Sequence, residues 1–104
     1  MKAIIDGKRY DTVKANWIGE GQSSCGQSDF KWYSEDLYQT PRSKAFFLAG
    51  RGGPASKYCR SVGDGWTGGS AIFPLDPDEA LEWAENNMHP DDIESAFADE
   101  IEDA

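Results

Sequence analysis

Ser70-Ala71-Ile72-Phe73-Pro74-Leu75-Asp76-Pro77-Asp78-Glu79-Ala80-Leu81-Glu82-Trp83 carries a strand straight into a helix, and that junction sets the class of the fold. Ser70 to Leu75 reads as a strand. Asp76 supplies a carboxylate N-cap, Pro77 fits the first helical position, and Glu79 completes an acidic form of the capping box. Leu81, Ala84 and Met88 then form one apolar stripe, flanked by Ala80 and Trp83. Pro90 interrupts the pattern, and a second helix is expected from Asp91, with Ile93, Phe97 and Ile101 recurring every four residues.

Upstream of this junction the chain reads as short strands and turns. Lys2 to Asp6 and Lys8-Arg9-Tyr10 flank Asp6-Gly7, the strongest short hairpin signal. Asp11 or Thr12 is expected to cap a short helix through Ile18, with Val13, Trp17 and Ile18 at helical spacing, and Gly19 to Ser24 to break it into a polar loop. Phe30, Trp32 and Tyr33 lead into Leu37-Tyr38-Gln39-Thr40. A turn at Thr40-Pro41-Arg42-Ser43 returns the chain into a strand from Ala45 to Gly50, an antiparallel pair. Pro54 is expected to open a short helix through Tyr58 to Arg60, and Val62 to Gly69 reads as a glycine-rich loop around Trp66. The expected fold is therefore α+β. It comprises one domain over residues 1–104, a small antiparallel sheet of three to five strands in 1–75, and an acidic helix pair in 76–104.

Charge divides the chain at the same junction. Residues 1–75 hold all ten Lys and Arg against seven acids, whereas residues 76–104 hold twelve acids and no Lys or Arg, for a net charge of −9 overall. Such a segment invites a positively charged partner. On the first helix Asp78, Glu82 and Glu85 fall at i, i+4 and i+7, beside Glu79; on the second, Asp92, Asp99 and Asp103 make a similar row, with Glu94, Glu100 and Glu102 around it. Helical neighbours in such rows lie ~5–6 Å apart between Cβ atoms, the same order as the ~3.4 Å rise per phosphate along a DNA strand. Two plainer readings stand beside that one: a solvated face, or an acidic tail folded over the basic surface of residues 1–75.

Other chemistries have thinner support. Gly63-Asp64-Gly65-Trp66-Thr67-Gly68 matches G-x-G-x-x-G in letters but precedes a strand rather than a helix, so dinucleotide binding is rejected. Gly50-Arg51-Gly52-Gly53 with Lys57 and Arg60 reads better as a turn and helix entry than as an anion site. His89 lacks the Cys or His partners of a zinc site and a nucleophile beside it, and is expected to end the first acidic helix. The abundant carboxylates sit on exposed helices rather than among apolar residues, which argues against catalysis. Phe30, Trp32, Tyr33, Tyr38, Phe46 and Phe47 read as core rather than as a base-stacking platform. Cys25 and Cys59 read as free thiols, with a bridge left open. The opening Met1 to Asp6 lacks a secretory h-region and no apolar run could span a bilayer, so a cytoplasmic location is expected. No cofactor, metal or membrane partner is expected, nor direct nucleic-acid contact; a homodimer is left open.

Three stretches resemble a family of small proteins carried by phages, prophages and plasmids. Lys2-Ala3-Ile4-Ile5-Asp6-Gly7-Lys8-Arg9-Tyr10-Asp11-Thr12 resembles its opening. Trp32 to Thr40 with Phe47-Leu48-Ala49-Gly50-Arg51-Gly52-Gly53-Pro54 resembles its central hairpin. Ile72-Phe73-Pro74-Leu75 followed by Glu79-Ala80-Leu81-Glu82-Trp83 resembles its closing strand and acidic helix. Some members are similar to anti-CRISPR proteins acting on type I systems, particularly the I-C class. The resemblance implies inhibition by binding the crRNA-guided surveillance complex (Cascade) and denying it target DNA. No catalytic residues come with it. The expected contacts are Asp78, Glu79, Glu82, Glu85, Asp91, Asp92, Glu94, Asp99 and Glu100, facing Lys- and Arg-lined DNA-binding surfaces. The alternative is a mobile-element accessory protein that binds some other basic host protein, again without catalysis.

Overall fold

The apolar run Ala45 to Ala49 becomes the spine of the molecule. In the computed structural model, which describes residues 1–26 and 28–104, all of it but Ala45 lies in strand β5 (Phe46–Gly52), which is buried at every position except Arg51. Such continuous burial requires neighbours on both edges and cover on both faces. Strand β4 (Tyr33–Gln39) pairs along one edge and β8 (Gly69–Leu75) along the other, and β3 (Asn16–Gln22) adds outside β4. The resulting antiparallel sheet has the order β3-β4-β5-β8. Two further hairpins complete the strands: β1 (Lys2–Ile5) with β2 (Lys8–Asp11), and β6 (Arg60–Val62) with β7 (Gly65–Thr67). At the first, Asp6 and Gly7 take φ of 53° and 76°, the left-handed pair that a two-residue hairpin demands.

Alternation along β5 assigns the two faces. Phe47 and Ala49 point to one side, where Ile72 and Tyr10 of the β1–β2 hairpin close a small core over them. The Phe47 ring stacks on Tyr38 and meets Tyr10 edge-on, with centroids 5.4 Å away in both cases. Phe46 and Leu48 point to the other side, with Leu37, against helices α1 (Pro77–Asn87) and α2 (Pro90–Ala96). Ala80, Ala84 and Phe97 fill that second core, and Phe97 stacks on Phe46 at 5.2 Å. The expected α+β architecture is thus found, with a four-stranded main sheet.

Several local expectations are overturned. Residues 12–15 form a turn, not a helix: the Asp11 carboxylate accepts from Val13 N at 3.0 Å, and the chain enters β3 at Asn16. A helix this short is marginal alone, whereas β3 gains a ladder with β4 that runs from Asn16 to Gln22 with one bulge between Trp17 and Gly19. Gly19 to Gln22, read as a loop, belongs to that strand; of the polar loop expected beyond it, Gln27 lies outside the described residues. Residues 54–58 are turns rather than a helix, and residues 60–67 form the β6–β7 hairpin rather than a loop, with Gly63 at φ 54° near its tip. Gly50 and Gly52 lie inside β5 instead of in a turn. Of the aromatic set, Phe46 and Phe47 are core and Trp32, Tyr33 and Tyr38 are half-buried, but Phe30 is exposed at 72%. Both cysteines carry free, half-buried thiols.

Candidate functional site

Helix α1 begins as its sequence predicts. The Asp76 carboxylate accepts from Glu79 N at 2.8 Å, and Glu79 Oε1 accepts from Asp76 N at 3.0 Å. Glu79 is therefore partly consumed by the cap. Asp78, Glu82 and Glu85 run along the outward crest of the helix and are exposed. His89 does not end this helix: Met88 is its C-cap, and His89 instead N-caps α2, its Nδ1 accepting from Asp91 N at 3.2 Å. The cause is Pro90, which holds the residue before it in extended backbone and itself starts the new helix.

The second acidic row is broken. Helix α2 stops at Ala96, Phe97 turns into the core, and residues 98–100 form one 3-10 turn. Asp92, Asp99 and Asp103 therefore do not share a helix face. Helix α2 has no basic residue in its last turn, so nothing offsets the negative end of the helix dipole. Burying Phe97 against Phe46 then outweighs another turn of acidic helix.

All nine expected contact residues are exposed, as are Asp76, Glu102 and Asp103. The structure sorts them onto different sides of the helical layer. Glu79 and Glu82 flank a shallow depression beside Leu75 and Trp83. Asp92 faces Trp17 and Ile18 at the β3 edge. Glu85, Glu94 and Glu100 come together around a groove between the helices, joined by Glu102. The ion pairs among the described residues are Lys57–Glu35 and His89–Asp91, so none of the twelve carboxylates of residues 76–104 is paired with Lys or Arg. Among the described residues, the acidic segment makes no ion pair with the Lys and Arg side chains of residues 1–75.

What holds the acidic layer in place was missed in the sequence. Glu35, in the middle of β4, is only 2% exposed. Its Oε2 accepts from Trp83 Nε1 of α1 at 2.7 Å and from Lys57 Nζ at 2.8 Å. Its Oε1 accepts from the Tyr58 hydroxyl at 2.9 Å and also pairs with Lys57. One carboxylate thus ties the sheet, the 53–59 loop and helix α1 together. Burial first, then the Glu35 charge and the hydrogen bond to it, raise the Tyr58 pKa above the ordinary 10.0, which keeps the hydroxyl protonated as a donor. With donors from three residues around it, this carboxylate is occupied as a structural anchor. The available signal was parity: Glu35 lies two residues from both Tyr33 and Leu37 and so shares their face of β4, pointing inward with Leu37.

Two glycines let the helix approach. A Cβ on Gly19 would lie 2.8 Å from Met88 Sδ, and one on Gly21 would lie 2.8 Å from Trp83 Cζ2 and 2.7 Å from Asn87 Oδ1. The glycine-rich strand is the floor on which α1 rests.

Among the described residues no group of three His, Cys, Asp or Glu side chains is placed to hold a metal ion. No helix among them is long and apolar enough to cross a membrane. Comparison of the chain with protein-family models, with curated proteins and with solved structures finds no match.

Proposed function

We propose that this chain is a non-enzymatic inhibitor whose acidic helical layer occupies a Lys- and Arg-lined nucleic-acid-binding surface of its partner. One observation carries the reading: twelve carboxylates are exposed on residues 76–104, none is paired with Lys or Arg among the described residues, and the elements bearing them are docked on a sheet. Unpaired like charges on an ordered surface disfavour the free protein and are relieved by a cationic partner. The choice of partner, a type I CRISPR-Cas surveillance complex kept from its target DNA, rests on the sequence resemblance. By analogy with single-protein effectors, such complexes hold nucleic acid in basic channels, and those channels suit a shaped acidic competitor.

Co-purification tests it. The tagged chain is mixed with a purified type I surveillance complex, and DNA binding by the complex is measured with and without it. Retention together with loss of DNA binding is expected, and Asp78→Lys/Glu82→Lys/Glu85→Lys abolishes both. An undisturbed complex that binds DNA normally overturns the assignment; capture of a different basic nucleic-acid-binding protein from host lysate would move the same surface to another target.

A further inference from the structure

The groove between the helices has an apolar floor. Leu81 of α1, Pro90 and Ile93 of α2, and Ile101 beyond the 3-10 turn line it, and its volume is about 430 Å³. Glu85, Glu94, Glu100 and Glu102 stand around that floor, and the lining contains no Lys, Arg or His. Four of the six glutamates in residues 76–104 are gathered here, and none of the six aspartates is. The longer side chain lets a carboxylate lean over the floor, which an aspartate at the same position does less well.

We infer that this groove is an anchor site for an arginine side chain of the partner. Its methylenes would lie on Leu81, Ile93 and Ile101, and its guanidinium would be held by the surrounding glutamates. The inference rests on the proposed function and narrows it, from attraction between opposite surfaces to one preferred residue in one place. The chemistry of the groove disfavours other occupants. A purely apolar group would desolvate four carboxylates and pair none. Lysine offers a compact, strongly hydrated ammonium that loses water on entering a half-apolar site. Arginine is more weakly hydrated, packs its planar face on apolar surface, and donates in a fork that matches carboxylates two at a time. The volume lies within the range of small-ligand pockets, ~300–1,000 Å³.

The test is an NMR titration of the full ¹⁵N-labelled chain at low salt with the blocked peptide Ac-Gly-Arg-Gly-Arg-Gly-NH₂, and with the same peptide carrying lysine or citrulline in place of arginine. The arginine peptide should shift amides around positions 81, 85, 93, 94 and 100–102. The lysine peptide should bind several-fold more weakly, and the neutral citrulline peptide not measurably. Ile101 is 40% exposed and outside both helices, so Ile101→Ser leaves the fold intact, which thermal unfolding checks. At unchanged net charge it should weaken the arginine peptide about fivefold. Asp64→Asn, a charge change at the β6–β7 tip and outside the groove lining, should leave binding within about twofold. Equal affinity for arginine and lysine, or Ile101→Ser binding like the parent with shifts spread over every acidic position, overturns the anchor. The two readings fail separately. A surveillance complex retained equally by the parent and Ile101→Ser removes the anchor and keeps the inhibitor. An arginine peptide bound in the groove with no complex retained does the reverse.

Discussion

Glu35 concentrates more of this structure than any other side chain. A buried carboxylate is tolerated only when its lone pairs are satisfied, and here Trp83, Tyr58 and Lys57 do so. Removing a single donor leaves the charge partly desolvated and uncompensated. Trp83→Phe keeps an aromatic ring but deletes the N–H and the five-membered half of the indole, and the lost bond and the cavity together should cost about 2–4 kcal/mol in urea unfolding followed by circular dichroism. Combined with Glu35→Gln it should cost less than the sum of the two single changes, because they break one shared bond. Tyr58→Phe gives a pH test. The Tyr58 pKa is raised on folding, so its contribution is complete below the unfolded value of 10.0 and is lost as pH climbs beyond it. The parent should therefore exceed Tyr58→Phe in stability by a constant margin from about pH 7 to about pH 9, and that margin should shrink above about pH 10. A margin at about pH 11 as large as that at about pH 9 contradicts a raised Tyr58 pKa. Tyr38, also raised by burial and by Asp36, is present in both proteins and cancels in the comparison.

At the scale of elements, the sheet accepts α1 only because β3 lacks side chains beneath it. Gly19 and Gly21 meet different neighbours, which separates their expected costs. Met88 is flexible and can swing from an added methyl, so Gly19→Ala should stay within about 0.5 kcal/mol once the entropy gained in the unfolded state is counted. Trp83 is rigid and pinned to Glu35, so Gly21→Ala should cost about 1–3 kcal/mol through overpacking. Equal costs in thermal unfolding would mean that α1 is not seated on this strand as described. The same glycines explain what could be read from sequence. Strands β1, β2, β4, β5 and β8 and helix α1 announce themselves through local signals, namely the Asp6-Gly7 turn, alternation and the Asp76–Glu79 cap. Strand β3 does not, because Gly-Glu-Gly composition looks like a loop until a helix 60 residues later lies on it. Glu35 is hidden for a related reason: its partners are 22, 23 and 48 positions away. The acidic positions were legible as charge, but their division into separate sides was not. That division depends on Phe97 leaving the helical path for the core.

Across the whole molecule, which extends 48 × 33 × 20 Å, the charge partition gives folding and binding opposite responses to salt. The twelve carboxylates of residues 76–104 repel one another and find no Lys or Arg partner among the described residues, so the free protein folds against that repulsion. Raising NaCl from about 0.1 M to about 1 M shortens the Debye length from ~10 Å to ~3 Å and should raise the urea midpoint. The same change should weaken capture of a cationic partner by tenfold or more, on the order expected for charge-steered association. Neutralising the crest of α1 with Asp78→Asn, Glu82→Gln and Glu85→Gln should reproduce both effects at low salt. The repulsion removed at i, i+3 and i, i+4 spacing, less the favourable interaction of Asp78 with the N-terminal end of the helix dipole, corresponds to a net gain of about 0.5 kcal/mol or less in stability. Capture should fall in the same variant, and both its stability and its binding should respond less to added salt. A partner held mainly by apolar contact would break this pairing. Capture would then survive high salt and neutralisation while the stability gain remained, and the acidic layer would be a solvated face rather than the surface that binds.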